Sequence, residues 1–299
     1  MSELELFALI IGIFGAFFYG ISVLVYKQEE HNVSYLWIDG IKMWVSLIIF
    51  TPFILLFSID KILAIPTEKV LLLILAIFFG AVSADLLYLY SMRFIGVSRA
   101  FPIAMTFPFF TYILSILFMG AQILLWRTVG LILVIIGITL LTEKEDEESI
   151  NERNHVKGYL AAIFSSLSGA ISAVIFEYTS QGLDIFAATY VELFGGSIIL
   201  VIFILIGIHK HPNWHPKNLK RESIFKVVAA AFIGMTLGYL FYNYSIQILG
   251  ATIGTAIATG APLFTTPISV AFLGEKFTRR LVPGTIITVV GVWLVLLGI

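Results

Sequence analysis

Ten apolar runs, each about twenty residues long, constrain the fold more than any other feature of the sequence. A helix of that length crosses the hydrocarbon core of a bilayer, whereas the strands of a membrane β-barrel are about ten residues long and alternate in polarity. The predicted spans, numbered helix 1 to helix 10, are residues 6–26, 36–57, 70–91, 100–119, 125–142, 158–176, 185–208, 224–246, 252–273 and 281–298. The sequence therefore predicts an all-α integral membrane protein with ten transmembrane helices.

Composition supports this interpretation and narrows what else the chain could bind. Apolar residues form 59% of the chain and charged residues 12%, which are proportions outside the range of soluble domains. The net charge of −1 gives no reason to expect nucleic acid as a partner, and the absence of Cys excludes disulfides and thiolate metal sites. We therefore expect the lipid bilayer as a partner, with no cofactor and no metal.

The two halves of the chain are similar in sequence. A shift of 154 positions aligns residues 80–141 with 234–295 without a gap, and 18 of the 62 aligned pairs are identical. Unrelated segments of this composition would match at roughly one position in ten. The matched pairs include Gly80/Gly234, Tyr88/Tyr242, Tyr90/Tyr244, Ser91/Ser245, Gly96/Gly250, Pro108/Pro262, Gly120/Gly274, Gly130/Gly284 and Gly137/Gly291. This pattern indicates an internal duplication.

The polar segment 143–157 separates the two copies, so the predicted repeats are residues 1–146 and 147–299. Each repeat contains five predicted helices, and an odd number makes the second copy cross the membrane in the opposite direction to the first. The prediction is therefore two inverted five-helix repeats. Secondary transporters with this architecture place their substrate site near the membrane midplane, between the repeats.

The last part of the chain carries the residues of a known family. The segment "LGEKFTRRLVPGTIITVVGVWLVLLG" (273–298) resembles the Leu-Gly-Glu turn and Gly-spaced last helix of the EamA family in the drug/metabolite transporter superfamily. A second copy at 119–141 has Ala121 in the position of Glu275. The resemblance implies that helices 1–4 and 6–9 surround a cavity that opens alternately to each side. It also implies that helices 5 and 10 are peripheral, which makes them the candidate interface of a homodimer.

Pro108 and Pro262 occupy equivalent positions in helices 4 and 9. A proline inside a helix removes a backbone hydrogen bond, and we expect a kink at each of these positions. Because alternating access needs places that bend, we predict that both prolines are hinges, although each could simply be a static bend.

Ionisable residues within predicted spans are few, and they are candidates for the substrate site because charge at membrane depth is costly. Asp39 and Lys42 lie three residues apart near the start of helix 2, and Asp85 lies in helix 3. We predict that Lys42 is buried or lines the cavity, with Asp39 or Asp85 as its counter-ion, and that Lys42 and Asp85 bind substrate. A structural ion pair, or side chains that reach the headgroups, is the alternative.

A shift of 150 positions aligns the first two helices of each repeat, with Lys27 opposite Glu177 and Lys42 opposite Glu192. Since the repeats are inverted, the lysines should lie towards one membrane side and the glutamates towards the other. One mouth of the cavity would then be cationic and the other anionic, which favours a zwitterionic substrate. A proton could be coupled through Asp85, Glu177 or Glu192.

Aromatic and amide side chains provide the other candidates. Tyr88 of helix 3 and Tyr242 and Asn243 of helix 8 lie at matching depths, and Tyr239 lies three residues before Tyr242. A tyrosine in hydrocarbon needs a partner for its hydroxyl. We predict that these residues bind substrate together with Glu192. Aromatic belts at the membrane interface would also explain the tyrosines.

Orientation is left open by two conflicting arguments. Lys61, Lys69 and Arg127 are the only Lys or Arg residues on the predicted side with the termini, whereas 14 lie on the other side. The positive-inside rule therefore places the termini outside, while the family resemblance implies that they are cytoplasmic.

Together these features predict a secondary transporter in the plasma membrane that exports small polar or zwitterionic metabolites such as amino acids. No Walker loop is present, so transport would be driven by a gradient or by exchange. All five His lie in predicted loops, and neither an H-E-x-x-H nor a Gly-x-Ser-x-Gly motif occurs. We expect no enzyme, but an intramembrane enzyme and a non-transporting scaffold or receptor stay open as alternatives.

Overall fold

The computed structural model describes residues 2–29, 32–95, 97–141, 152–210, 220–272 and 281–296. Every regular element within these ranges is helical, which confirms the all-α prediction. In chain order the α-helices and the two π-helices are α1 Glu3–Glu29, α2 Tyr35–Phe57, α3 Ile59–Leu63, α4 Thr67–Ile77, π1 Phe78–Ala84, α5 Asp85–Ile95, α6 Val97–Ala104, α7 Phe107–Met119, α8 Leu125–Leu141, α9 Glu152–Ser180, α10 Ile185–Lys210, α11 Arg221–Ala231, π2 Phe232–Gly238, α12 Tyr239–Leu249, α13 Ala251–Ala258, α14 Pro262–Phe272 and α15 Leu281–Leu296.

Within the described ranges, seven helical stretches are long and apolar enough to cross a membrane, and they correspond to predicted helices 1 to 4 and 6 to 8. They are Glu3–Tyr26, Leu36–Phe57, Thr67–Met92, Arg99–Met119, Val156–Ser180, Ile185–Gly207 and Arg221–Leu249. Predicted helices 5 and 10 correspond to the shorter apolar helices Leu125–Leu140 and Val282–Leu296. Predicted helix 9 is divided between α13 and α14.

The duplication detected in the sequence is also present in the secondary structure. The run α4, π1, α5 and α6 has the same element lengths and boundaries as α11, π2, α12 and α13, displaced by 154 positions. A π-helix adds a residue to the turn and usually marks a functional or packing constraint. Its occurrence at the same place in both copies, directly before Asp85 and Tyr239, indicates that it is part of the repeated unit.

The first helix of each copy packs mainly against helices of the other copy. Helix α1 lies against α11, π2, α12, α13 and α14, while α9 lies against α4, π1, α5, α6 and α7. Helices α2 and α10, which are the second helices of the two copies, pack against each other. The two halves are therefore interleaved, and α2 and α10 lie at the junction between them.

Helices α1 and α9, each packed against the opposite copy, are here called the exchanged helices. The matched pair Gly80/Gly234 explains how closely these helices approach the π-helices of the opposite copies. A Cβ atom at Gly80 would lie 2.5 Å from the Ser172 Oγ of α9, and one at Gly234 would overlap Ser22 of α1. Ser22 and Ser172 are themselves equivalent under the shift of 150 positions. The same contact between a glycine in a π-helix and a serine in an exchanged helix is therefore formed in both halves.

Helices α8 and α15 form the most extensive helix pair in the described chain. A Cβ atom at Gly130 would lie 2.6 Å from the Gly291 carbonyl oxygen, so glycines allow the two backbones to touch. Trp126 and Trp293 lie on the exposed faces of this pair. The predicted homodimer would have to use these outer faces, because the glycine faces are occupied within one chain, and it stays a prediction.

The two equivalent prolines, Pro108 and Pro262, were predicted to kink continuous helices, but each lies in the first turn of a helix. Pro108 lies in the first turn of α7, after a break at Met105–Thr106, and Pro262 is the first residue of α14, after a break at residues 259–261. In the first turn of a helix a proline loses no intrahelical hydrogen bond. Predicted helices 4 and 9 are thus interrupted before these residues, and the hinge role of Pro108 and Pro262 stays a prediction.

Candidate functional site: two polar clusters at equivalent positions

The first polar cluster, here called the lysine cluster, consists of Asp39 and Lys42 of α2 and Asp85 at the start of α5. The Lys42 Nζ lies 2.5 Å from Asp39 Oδ1 and 3.4 Å from Asp85 Oδ2. The side chains of Lys42 and Asp39 are 13% and 5% exposed, while that of Asp85 is 36% exposed. The structure therefore places Lys42 in a mostly buried position where both candidate counter-ions contact it, and its role in substrate binding stays a prediction.

Helix α1 of the same copy closes one side of the lysine cluster. The Lys42 Nζ lies 5.4 Å from the centre of the Tyr26 ring, a distance at which a cation–π interaction forms. Tyr19 also interacts electrostatically with Lys42 and Asp85. Asp39 Oδ2 is buried, and no hydrogen-bond partner for it occurs among the described residues. Two carboxylates thus share one ammonium group.

The second polar cluster, here called the glutamate cluster, consists of Thr189 and Glu192 of α10 with Tyr239 and Asn243 of α12. Glu192 Oε2 accepts hydrogen bonds from the Tyr239 hydroxyl at 3.1 Å and from Asn243 Nδ2 at 2.7 Å. Asn243 Nδ2 also donates to Thr189 Oγ1 at 3.2 Å. Glu192 is 0% exposed, and its Oε1 has no hydrogen-bond partner in the described part of the chain.

The two clusters occupy the same positions in the two copies. A shift of 150 positions relates Asp39 to Thr189 and Lys42 to Glu192, and a shift of 154 relates Asp85 to Tyr239. In each half two of the three positions lie in the first turns of the second helix, and the third is the first residue of the helix that follows the π-helix. Asn243 is the addition of the second half, since the equivalent residue in the first half is Leu89.

Sequence reasoning missed Thr189, Tyr19 and Tyr26. Thr189 could have been found by applying the shift of 150 positions to Asp39, because a residue beside Lys42 predicts one beside Glu192. Tyr19 and Tyr26 belong to α1, and nothing in the sequence pattern assigned that helix to the lysine cluster. Their position follows from the packing of α1 across the two halves.

Two of the predicted tyrosines have different environments. Tyr88 packs with Ile95, Ala100 and Ala162 in a small hydrophobic cluster, on the side of α5 that faces α6 and α9. The Tyr242 ring centre lies 6.1 Å from that of Tyr239, and Tyr242 interacts electrostatically with both Glu192 and Tyr19. Tyr242 therefore lies between the two clusters, whereas Tyr88 packs against this hydrophobic cluster, and its role in substrate binding stays a prediction.

Glu177, another predicted candidate, lies in a different place. Its Oε2 accepts a hydrogen bond of 2.8 Å from the Ala251 N–H at the start of α13, where a helix N-terminus favours negative charge. Glu177 and Arg127 both line a cavity of about 200 Å³ between α7, α8, α9 and α13. The side chain of Lys27, its counterpart under the shift of 150 positions, lies outside the described residues.

The seven membrane-length helices in the described part of the chain define a multi-pass integral membrane protein, and comparison with known proteins identifies it as a transporter. A family model described as the EamA-like transporter family matches residues 6–143 and, a second time, residues 156–297. The chain therefore belongs to the EamA-like transporter family, as the sequence resemblance predicted.

Relatives and a solved structure agree with this assignment. An uncharacterized transporter of Archaeoglobus fulgidus is 22% identical over 233 residues, which cover 78% of each chain. Solute carrier family 35 member G1 of Mus musculus is 24% identical over 286 residues, which cover 93% of this chain and 75% of that protein. One crystal structure superimposes with a TM-score of 0.78 over 97% of this chain and 96% of its own, at 15% identity. At that identity the likeness shows a shared fold.

Proposed function

We propose that this protein is a secondary transporter of the plasma membrane that exports small polar or zwitterionic metabolites, such as amino acids. Transport would occur by alternating access between two inverted repeats of five helices each. The observation that carries the proposal is the convergence of the same three positions into a polar cluster with a buried or mostly buried charged residue, Lys42 or Glu192, in each half. Polar groups at membrane depth are costly and normally face a pathway or one another.

The depth of the clusters supports a pathway that crosses the membrane. Lys42 and Glu192 each lie seven residues after the start of their helix, at Tyr35 and Ile185, which is about 10 Å along the axis. If each repeat has five crossings, α2 and α10 start from opposite membrane surfaces. The lysine cluster then lies nearer one surface and the glutamate cluster nearer the other, with Tyr19 and Tyr242 between them.

The broken helices and the exchanged first helices supply elements that could rearrange. Helices α6 and α7, like α13 and α14, are separated by short non-helical turns. Because α1 and α9 pack mainly against the opposite copy, a movement of one copy changes the walls of both clusters. We propose that the access of each cluster to the two membrane sides changes in this way during transport.

Flux measurements on purified protein in liposomes test this function. Wild-type protein should move one or more of a panel of labelled amino acids, and Lys42→Met should abolish that flux while a monodisperse, folded protein is retained. Lys61→Met is the matched control, because Lys61 is exposed and pairs with Asp184 outside the spans. Lys42→Arg keeps the charge and should retain partial flux, so a folding defect can be separated from a loss of function.

The same assay separates the other classes of protein. A scaffold or receptor predicts no flux with any solute, and an intramembrane enzyme predicts a chemically altered product. Flux by Lys42→Met equal to that of wild type would remove the lysine cluster from the pathway.

A further inference from the structure

We infer that Glu192 carries a proton in the observed conformation and exchanges that proton for a positively charged nitrogen of the substrate. Within the small polar metabolites of the proposed function, the substrate class is then narrowed to small amines with a net positive charge, in place of zwitterions. This inference rests on the proposed transport function and adds to it the charge of the substrate and the identity of the exchanged ion. It depends on four features of the glutamate cluster and its surroundings.

The first feature is that Glu192 is fully buried without a cation. Within the described ranges no Lys, Arg or His side chain forms an ion pair with Glu192. Its contacts are the neutral donors Tyr239 and Asn243, with Tyr242 close enough for an electrostatic interaction. An ionised carboxylate in a buried site without a counter-charge is strongly unfavourable, so the neutral, protonated form is favoured.

The second feature concerns the other described elements that pack against α10, which are α2, α3, α4 and π1. None of them brings an unpaired cation to Glu192. The cation of α2, Lys42, interacts with Asp39, Asp85 and the tyrosines of α1. The segment FFGAVSA of π1 has no titratable side chain. In α3 and α4, Asp60 and Glu68 are exposed. The lysines of these two helices have other partners, since Lys61 donates a hydrogen bond to Asp184 and Lys69 donates one to the Gln181 carbonyl oxygen.

The third feature is the unequal use of the two carboxyl oxygens. Oε2 accepts two hydrogen bonds, whereas Oε1 is buried and has no partner among the described residues. A proton on Oε1 leaves the hydrogen bonds of Oε2 intact. When the proton leaves, Oε1 becomes a free acceptor, and an ammonium group, which has three donors, can bind it. The two occupants therefore exclude one another at one oxygen.

The fourth feature is the equivalent position in the first half. There the chain itself supplies an ammonium, the Lys42 Nζ, and two carboxylates bind it at 2.5 Å and 3.4 Å. The lysine cluster consequently holds more negative than positive charge, and the glutamate cluster holds no cation in the part of the chain that the structure describes. Neither cluster offers an unpaired cation to a substrate carboxylate, and both favour a positively charged nitrogen.

The exchange step balances in charge. Glu192 releases one proton to the solution when its cluster opens, and the carboxylate then binds one ammonium group of a substrate cation. After the cluster opens to the other side, the amine leaves and a proton returns to Oε1. One monovalent amine moves out for each proton that moves in, so the cycle is electroneutral. A substrate carboxylate would add an uncompensated negative charge, so removing it should strengthen binding.

Infrared spectroscopy of purified protein tests the proton without any substrate. Wild-type protein should have a carbonyl stretch of a protonated carboxyl group at neutral pH, and Glu192→Gln should lose it. Glu68→Gln is the matched control, because Glu68 is exposed and the same substitution there should leave this band unchanged. Glutamine keeps the size of the side chain and resembles the protonated form, so we expect Glu192→Gln to fold. A spectrum unchanged by Glu192→Gln would overturn the inference.

Matched ligands test the amine. Each amino acid of the panel is compared with its methyl ester, which keeps the ammonium group, and with its N-acetyl form, which keeps the carboxylate. The methyl ester should raise the melting temperature most and the N-acetyl form least. The apparent Kd of the methyl ester should fall about tenfold for each unit of pH increase while Glu192 is protonated, because the ligand and the proton compete for the same carboxyl group. Glu192→Gln should remove this pH dependence.

The outcomes separate this inference from the proposed function. Stabilisation by the N-acetyl form and not by the ester would overturn the amine assignment, as would flux with the same pH dependence in wild type and Glu192→Gln. In both cases transport itself would stand. An absence of flux with every solute would instead count against the transport function, and the infrared result would still decide whether Glu192 carries a proton.

Discussion

The lysine cluster and the glutamate cluster have the same positions in the fold and opposite chemistry. In the first half an ammonium group lies between two carboxylates, whereas in the second half a buried carboxyl accepts hydrogen bonds from neutral donors. The helix starts and the π-helices fix where three side chains meet, and they leave the identity of those side chains free. A duplicated scaffold can therefore hold two unlike polar clusters at equivalent positions, and under the proposed inverted arrangement one would lie towards each side of the membrane.

The largest loss of stability is expected when the second half is given the charge of the first. Glu192→Lys would bury an ammonium group beside Thr189 and Tyr239, which cannot neutralise it. We expect a loss of about 4 kcal/mol in the free energy of unfolding. Thermal melting in detergent measures the effect, and Glu192→Gln is the control that should stay within about 1 kcal/mol of wild type.

Adding two carboxylates to the Glu192→Lys variant tests whether the two clusters are structurally equivalent. The triple variant Glu192→Lys, Thr189→Asp, Tyr239→Asp rebuilds the lysine cluster at the equivalent positions, and it should melt well above Glu192→Lys alone. A triple variant no more stable than the single one would contradict the structural equivalence of the two clusters.

Removing the ammonium from the first half should have the next largest effect. Lys42→Met leaves Asp39 and Asp85 facing each other without a counter-charge, at a cost of about 3 kcal/mol. Protonation of either carboxyl removes the repulsion, so the difference from wild type should shrink as the pH falls. Melting curves at neutral and acid pH check this, and a difference that grows in acid would contradict it.

A smaller loss of stability is expected at the two contacts between a glycine and a serine, Gly80 with Ser172 and Gly234 with Ser22. Gly80→Ala and Gly234→Ala should each cost about 2 kcal/mol, because a Cβ atom overlaps a serine of the facing helix. At Gly80 the closest atom is the Ser172 Oγ, at 2.5 Å, and the Ser172 Cβ is 3.2 Å away. At Gly234 the Ser22 Cβ itself would be only 2.5 Å away.

The rescue experiment follows from that difference. Ser172→Ala should recover most of the stability lost in Gly80→Ala, whereas Ser22→Ala should recover little of that lost in Gly234→Ala, since its Cβ remains. Melting temperatures of the four single and two double variants measure the rescue. Equal rescue in both halves would show that the two contacts do not differ as described.

The smallest expected effect is at the surface. The hydrogen bond from Lys61 to Asp184, at 2.7 Å, raises the pKa of Lys61 above its ordinary value. A raised pKa of a cation means that its contribution is fully present at neutral pH and is lost as the pH rises through the raised value. Because the pair is exposed and screened, Lys61→Met should leave the melting temperature nearly unchanged.

Much of the fold could be predicted because hydrophobic length and repeated glycines are local properties of the sequence. The pairing of Asp39 and Lys42 also follows from a spacing of three within one helix. The contact between Glu192 and Tyr239 could also have been predicted, because the shifts of 150 and 154 positions relate Lys42 to Glu192 and Asp85 to Tyr239.

Other features depend on tertiary packing and could not be obtained in this way. The π-helices have no composition that distinguishes them from the apolar α-helices around them. Tyr88 and Asp85, three residues apart, differ by about 60° around the helix, which is enough for them to face different neighbours. The exchange of α1 and α9 between the halves is a long-range choice that no local pattern specifies.

The most direct test of the inverted arrangement uses the absence of Cys from the natural sequence. Single cysteines at Asn32 and Gln181, both exposed, mark the loops that follow the first helix of each copy. Five crossings between these loops place them on opposite sides, so an impermeant thiol reagent should label one in intact cells and the other only after permeabilisation. Labelling of both from the same side would contradict the inverted repeat, and with it the assignment of one cluster to each side of the membrane.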